Sequence, residues 1–275
     1  MKNHTNQNEF VGTESELAAM TRNLDELHND VGMPAMWSGV SNMIDEMRDV
    51  APSSRGTSRR TFLMGMSAAA VGGAALLSVG ATPVLAGATT RGKTSVSTAS
   101  ARAFPPAGLT GDLAVAAVAA SLENLAVFAY NAGLGAATAG KLGKVPPAVA
   151  TFAVTAKGQH TQHATAWNAV LRANGKARVT VVNPTLAPVV KADFAKVKDI
   201  PGLANLALLL ETIAAETYQV ETSMLKSSAA IALSSSIQPV EMQHIAILYY
   251  VLGQYPGVQT TSGVPIAFSS TAKAV

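Results

Sequence analysis

The chain contains no cysteine. Disulfides, thiolate metal sites and iron–sulfur clusters are therefore excluded. Charge is also scarce: 13% of the 275 residues are Asp, Glu, Lys or Arg, against roughly 25% in an average globular domain. The net charge of +3 is small and contains no block of like sign, so no nucleic-acid footprint is present. Aromatic residues make up 5% and there are five histidines. What the chain has in quantity is apolar residues, 48% of the total. That is enough to bury a large core in one or two domains.

The few charges are unevenly placed. Residues 1–60 hold nine acidic and six basic side chains, whereas residues 89–275 hold eight and fourteen. The first segment, 1–57, is polar and acidic and reads as a mostly disordered leader. It contains two short amphipathic stretches, around Glu14–Leu27 and Met36–Val50, and ends in a breaker with Pro52 and Gly56. Ser58-Arg59-Arg60-Thr61-Phe62-Leu63 follows, then an apolar Gly/Ala-rich run and the small-residue pattern Ala86-Gly87-Ala88. A positive start, an apolar middle and a small-residue end make residues 58–88 an export signal. Arg59 and Arg60 before Phe62 and Leu63 look like the twin-arginine type. The rival reading is a retained membrane anchor, since about 20 apolar residues span a bilayer. Gly65, Gly72, Gly73, Gly80 and Pro83 speak for a signal instead. The localisation expected is exported: periplasm, envelope or extracellular.

Residues 89–108 read as a linker, and 109–268 as the structured part, before a tail at 269–275. Residues 110–139, rich in Ala, Leu and Val, predict a first helix with Thr110 as N-cap. Pro146 and Pro147 open a second, which stops at Asn174-Gly175. A connection of about 25 residues follows, containing Pro184 and Pro188, with room for one short helix near Val189–Val197. Pro201 opens a third helix to about Lys226. Ser234–Ser236 offer an N-cap for a fourth, from about Gln238 to Leu252. Two hairpins with one long crossover form an all-α, ferritin-like four-helix bundle.

Within this oily part, acidic side chains stand out. Glu123, Glu211, Glu216 and Glu241 sit mid-helix among apolar neighbours, where a lone carboxylate is expensive to bury. The region has three histidines. His163 follows His160 by three residues, and His244 follows Glu241 by three. Such spacing places both side chains on one helix face, so they can reach one cation together. One carboxylate on one helix and a carboxylate–histidine pair on the next is the ligand pattern of di-metal carboxylate bundles. The candidate metal ligands are Glu123, His160, His163, Glu211, Glu241 and His244. Glu216 lies five residues, about 140°, from Glu211 and reads as a supporting group or alternative ligand. Tyr130, Tyr218, Tyr249, Tyr250, Phe128, Phe152 and Trp167 read mostly as core packing.

These residues resemble the bacterial ferritin-like domain family, including its secreted members, over roughly residues 109–268. Leu122-Glu123-Asn124-Leu125 through Tyr130, Leu210-Glu211 with Tyr218, Glu241-x-x-His244 and the segment Val264–Phe268 carry the similarity. The resemblance implies a di-metal centre of iron or manganese and Fe(II) oxidation by oxygen or peroxide. The chain departs from the family where His160 stands in place of a glutamate on the second helix, and where Ala126 or Val127 replaces a second glutamate on the first. A bridging carboxylate is thereby missing, which supports a rival reading: an envelope-associated helical domain with an empty, degenerate site. A third reading is an interaction protein held in a membrane by residues 62–85. The partners expected are metal ions and the twin-arginine export machinery, with homodimerisation left open.

Overall fold

The computed structural model describes residues 13–50 and 104–254. The segment 58–88 expected to be an export signal, most of the expected linker and the segment beyond Gln254 lie outside the described residues. All regular structure in the described residues is helical. Two helices precede the bundle, α1 (Glu14–Leu27) and α2 (Met33–Val50), joined by a π-helical turn at His28–Gly32. The bundle is built from α3 (Asp112–Thr138), α4 (Pro147–Ala173), α6 (Ile200–Met224) and α7 (Ser228–Val251), with the short α5 (Ala187–Phe194) in the crossover. Helices α3 and α4 form one hairpin, α6 and α7 the other, and α3 packs against α6.

Local chemistry explains most of the ends. Helix α4 stops in a Schellman turn: Gly175 has φ +67°, Lys176 N–H donates to Leu171 O at 2.9 Å and Gly175 N–H to Arg172 O at 3.0 Å. The left-handed residue closes otherwise orphaned carbonyls. Asp199 caps α6 by accepting from Gly202 N–H at 2.8 Å. Thr110 does not cap α3. The N-cap is Gly111, without a side-chain bond, and Asp112 instead accepts from the backbone N–H groups of Lys226 and Ser227 at 3.1 and 2.9 Å. It thus ties the start of α3 to the loop between α6 and α7.

The fourth bundle helix begins ten residues before the expected Gln238. Ser227, not Ser234–Ser236, is its N-cap and accepts from Ala230 N–H at 3.0 Å. The serines are tolerated inside the helix because their hydroxyls are satisfied. Ser234 Oγ meets Thr222 Oγ1 at 2.6 Å, and Ser236 Oγ donates to Leu233 O at 2.7 Å. Pro239 lies inside the helix and has no N–H to give to the carbonyl of Ser235, four residues back. Ser235 is exposed, so water can take that role.

The crossover is pinned by asparagines. Asn168 and Val179 exchange two hydrogen bonds, at 2.7 and 3.1 Å. Asn124 Nδ2 donates to Val179 O at 2.9 Å, and Asn183 N–H donates to Ser121 O at 2.9 Å.

The reading of residues 1–57 as a disordered leader fails for 13–50. Leu17, Thr21, Leu24 and His28 recur at helical spacing and are buried, as are Met36, Val40 and Met43. Helix α1 packs on α4, and α2 packs along α7. Met36, Val40 and Met43 join Trp167, Tyr218, Leu233 and Ile237 in the main core. At Gly39 an added Cβ would stand 3.0 Å from the Leu233 backbone, so glycine lets the two helices approach closely. The acids of this segment cap the bundle. Glu14 Oε2 accepts from Ala148 N–H at 2.8 Å at the start of α4. Glu46 accepts from the Ser227 and Ser228 hydroxyls at the start of α7. Carboxylates belong at these positive helix ends.

Helix α3 is long and apolar enough to cross a membrane by composition, yet 56% of its most apolar window is buried inside the protein. That is what a central bundle helix requires.

Candidate metal centre

Each hairpin delivers its polar groups to the same level of the bundle. Glu123 comes from the middle of α3, His160 and His163 from α4, Glu211 from α6, and Glu241 and His244 from α7. All six are at most 2% exposed. Two overlapping groups of ligand atoms form, each within 4.8 Å of one another: Glu123, His160, His163 and Glu241; and His160, Glu211, Glu241 and His244. His160 and Glu241 belong to both. Glu123 with His163 lies on one side, Glu211 with His244 on the other. Glu216 is buried but belongs to neither group.

The contacts within the cluster are short. His160 Nδ1 lies 2.8 Å from Glu123 Oε2, and its Nε2 lies 3.2 Å from Glu211 Oε1. His163 Nδ1 is 3.1 Å from Glu241 Oε1. His244 Nδ1 is 3.3 Å from Glu211 Oε2 and 3.5 Å from Glu241 Oε2. Neither oxygen of Glu241 and neither nitrogen of His163 makes a hydrogen bond. Buried polar atoms almost always have a partner, and those without one call for an explanation. A cation between Glu241 and the facing imidazoles would provide it, by neutralising the carboxylate and accepting ring lone pairs together.

Outer contacts orient these groups. His244 Nε2 donates to Gln159 Oε1 at 2.8 Å, which turns Nδ1 inward toward the carboxylates. Such a bond on the far ring nitrogen is what fixes a ligating histidine. Tyr130 on α3 donates to Glu211 Oε1 and Tyr218 on α6 donates to Glu123 Oε1, both at 2.5 Å. Each tyrosine lies seven residues after its own helix's glutamate and crosses to the glutamate of the other hairpin. Trp167 Nε1 donates to Tyr218 Oη at 2.9 Å. Tyr130, Tyr218 and Trp167 therefore do more than pack the core. The polar neighbours in Gln159-His160-Thr161-Gln162-His163 do not make an outer face either. Gln159 and both histidines are buried, and only Thr161 is exposed.

Charge compensation runs through the whole cluster. Burial opposes the charged form of His160, but Glu211 and Glu241 outweigh it and hold the imidazolium well above its usual range. Burial likewise opposes charge on His163, while Glu123 and Glu241 lift it to about 9. His244 is raised in the same way, chiefly by Glu211. Burial would raise Glu123, yet His163 and His160 bring it down to about 2. Burial would also raise Glu211, but His160 and His244 hold it well below the carboxylate range. Without a cation, the raised imidazoles and the lowered carboxyls of Glu123 and Glu211 compensate one another.

The sign of the resulting pH dependence follows. His163 binds its proton more tightly folded than unfolded, so its contribution is complete below about 6.5 and is lost as pH rises through about 9. Glu123 binds its proton less tightly when folded, so its contribution is complete above about 4.5 and is lost as pH falls through about 2. Metal-free protein should thus lose stability between pH 6.5 and 9. Metal-loaded protein, whose ligating imidazoles are already neutral, should lose less. Thermal melts of both forms across that range measure the widening gap.

Two groups near the centre were not singled out in the sequence. Glu221, three residues after Tyr218, is buried with no hydrogen bond to either oxygen. Burial, reinforced by the charge of Glu123, pushes it well above the carboxylate range, so it remains a neutral acid. His28, in the π-helical turn, donates from Nε2 to Gln162 Oε1 at 2.7 Å. Its ring stands edge-on to that of His163, with centroids 5.3 Å apart. Burial, then the charge of His163, lowers it to about 4, which keeps it neutral. The helical spacing from Leu17 through Thr21 and Leu24 to His28 was the available signal. On another side of the centre, an apolar cleft lined by Ala126, Gly133, Val149, Phe152 and Ala204 ends at Tyr130.

A family model described as a ferritin-like domain matches residues 111–254. No curated protein and no solved structure matches the chain.

Proposed function

The chain belongs to the ferritin-like domain family, and on that premise we propose that it holds two divalent cations, iron or manganese, and oxidises Fe(II). The observation that carries this reading is Glu241: fully buried, without a hydrogen bond, and faced by His163 and His244 from two helices. Glu123 and His163 would hold one ion, Glu211 and His244 the other, with Glu241 between them. His160 can add one nitrogen but cannot bridge as a carboxylate does. When bound, each Fe(II) supplies one electron, so a pair reduces one peroxide to two waters with uptake of two protons.

The chain's own residues prepare the site. Gln159 keeps the proton of His244 on Nε2 and leaves Nδ1 facing inward. Tyr130 and Tyr218 hold Glu211 and Glu123 by their hydroxyl donors and fix which oxygens face the centre. The surrounding apolar side chains, Phe152 among them, exclude bulk water.

The test is to load the full chain with Fe(II) anaerobically and measure bound iron, then admit oxygen or peroxide and follow the ferric absorbance. About two irons per chain and oxidant-dependent absorbance support the reading; loss of iron in His244→Ala ties it to this centre. A specific observation favours the rival reading of a metal-free domain. Both nitrogens of His160 face carboxylates, at 2.8 and 3.2 Å, so its imidazolium can stand where a cation would. No bound iron after loading supports that rival.

The protein's proposed place is outside the cytoplasm, by way of the twin-arginine segment around Arg59 and Arg60. That machinery carries folded proteins, which suits a bundle that takes up metal before export. Fractionation with N-terminal sequencing of the exported form tests this. It also shows whether residues 13–50 leave the protein with the signal.

A further inference from the structure

The metal centre is sealed within the bundle, so a cation needs a path to it. The cleft ending at Tyr130 is wholly apolar and offers a cation no ligand to replace its water. A different opening lies where the N-terminal hairpin meets α7. There a cavity of about 330 Å³ is lined by His28, Gly32, Ser235, Ser236, Pro239 and Gln243, among others. We propose that this vestibule is the path by which divalent cations reach the centre, with His28 as the ligand that receives them and passes them to His163. The proposal rests on the metal-binding reading above.

Several features meet at this place. His28 is 3% exposed, and its Nδ1 has no hydrogen-bond partner. Because Nε2 donates to Gln162 Oε1, the lone pair on Nδ1 is bare, the form in which imidazole binds metals. Gly32 leaves that nitrogen open, since a Cβ there would stand 3.3 Å from it. Deeper in, His28 touches His163, and both nitrogens of His163 also lack hydrogen bonds. Ser235, Ser236 and Gln243 stand in the lining beside the apolar Leu27, Val31 and Val240, and Pro239 has no N–H to give to the carbonyl of Ser235. Finally, the surrounding hairpin is acidic. Asp25, Glu26 and Asp30 flank His28, and no Lys or Arg occurs from residue 23 to 47. Such a field draws cations toward an opening, in contrast to the basic excess of residues 89–275. A π-helical turn at this point fits the frequent use of such turns at functional sites.

The experiment uses the full chain and Co(II) alone, whose visible absorption reports binding in a stopped-flow mixer. His28→Ala should slow loading about tenfold or more while final occupancy stays at the wild-type value. Ser235→Leu, at an exposed position and so harmless to folding, should slow it similarly by plugging the mouth. Ala150→Leu in the apolar cleft should leave the rate unchanged. Wild-type rates in both His28→Ala and Ser235→Leu would overturn the path while leaving the metal centre standing. Lost occupancy in His28→Ala, with the helical circular dichroism intact, would overturn it too, because His28 would then be a permanent ligand. Absence of Co(II) binding in the wild type would overturn both this path and the metal-binding reading.

Discussion

Glu241→Ala should empty the centre altogether, reducing bound metal from about two ions per chain to none. No other carboxylate does as much, because Glu241 alone among the three belongs to both groups of ligand atoms. Losing Glu123 or Glu211 removes an outer carboxylate from one side; losing Glu241 removes the anion from both. Cluster charge points the same way. Two carboxylates against His160, His163 and His244 leave too little negative charge to draw in two divalent cations. Elemental analysis after anaerobic loading reads the result directly. A Glu241→Ala protein that keeps a full complement of metal would show that Glu241 lies beside the site rather than in it. The same variant should unfold more easily at acid and neutral pH, where the three imidazoliums lose a counter-charge. A drop in melting temperature checks this.

Deleting residues 1–57 should unfold or aggregate the bundle. Five apolar side chains of the hairpin, Leu17, Leu24, Met36, Val40 and Met43, are at most 3% exposed. At about 1.5–3 kcal/mol for each, their loss removes about 7–15 kcal/mol as an upper bound. That is comparable with the whole stability of a typical domain, about 5–15 kcal/mol. The deletion also uncovers Trp167, Leu233 and Ile237 and removes the Glu14 and Glu46 caps from α4 and α7. Size-exclusion elution and chemical denaturation of the truncated chain measure the effect. A truncated protein with unchanged stability would mark the hairpin as an accessory that export can discard. An unfolded one would require the hairpin to stay with the bundle after any cleavage of the signal, bound without a covalent link.

The contrast between these two predictions shows what the sequence made legible. The bundle was legible because its signals are local. Prolines open α4 and α6, Asn174-Gly175 closes α4, and an Ala/Leu-rich run makes α3. The six candidate ligands stood out because carboxylates and imidazoles are rare in an oily chain, and because four of them fell in pairs spaced by three. The N-terminal hairpin was hidden by its surface. Its apolar stripe has the right period, but acidic residues dominate its composition, and composition suggested disorder. Those acids are a solvated face and two helix caps, whose partners lie some 130 and 180 residues away in sequence. The fourth helix was misplaced because Ser234–Ser236 and Pro239 are strong local breakers. Their surroundings accommodate them: Thr222 meets Ser234, and the carbonyl that Pro239 strands belongs to the exposed Ser235. The tyrosines show a third kind of gap. Their sevenfold offset from Glu123 and Glu211 was visible, but that each crosses to the other hairpin depends on how the two hairpins face each other.

The role of His160 decides between the two readings of the centre. If a cation binds, His160 gives up one proton and one of its two carboxylate contacts. If none binds, its imidazolium remains as the link between Glu123 and Glu211. Anomalous diffraction from crystals of the full chain grown with Mn(II), measured at the manganese edge, distinguishes these states at the atoms concerned. The account predicts two peaks flanking Glu241, one toward Glu123 and His163, the other toward Glu211 and His244. A map without peaks there, with both nitrogens of His160 still on the two carboxylates, would contradict it.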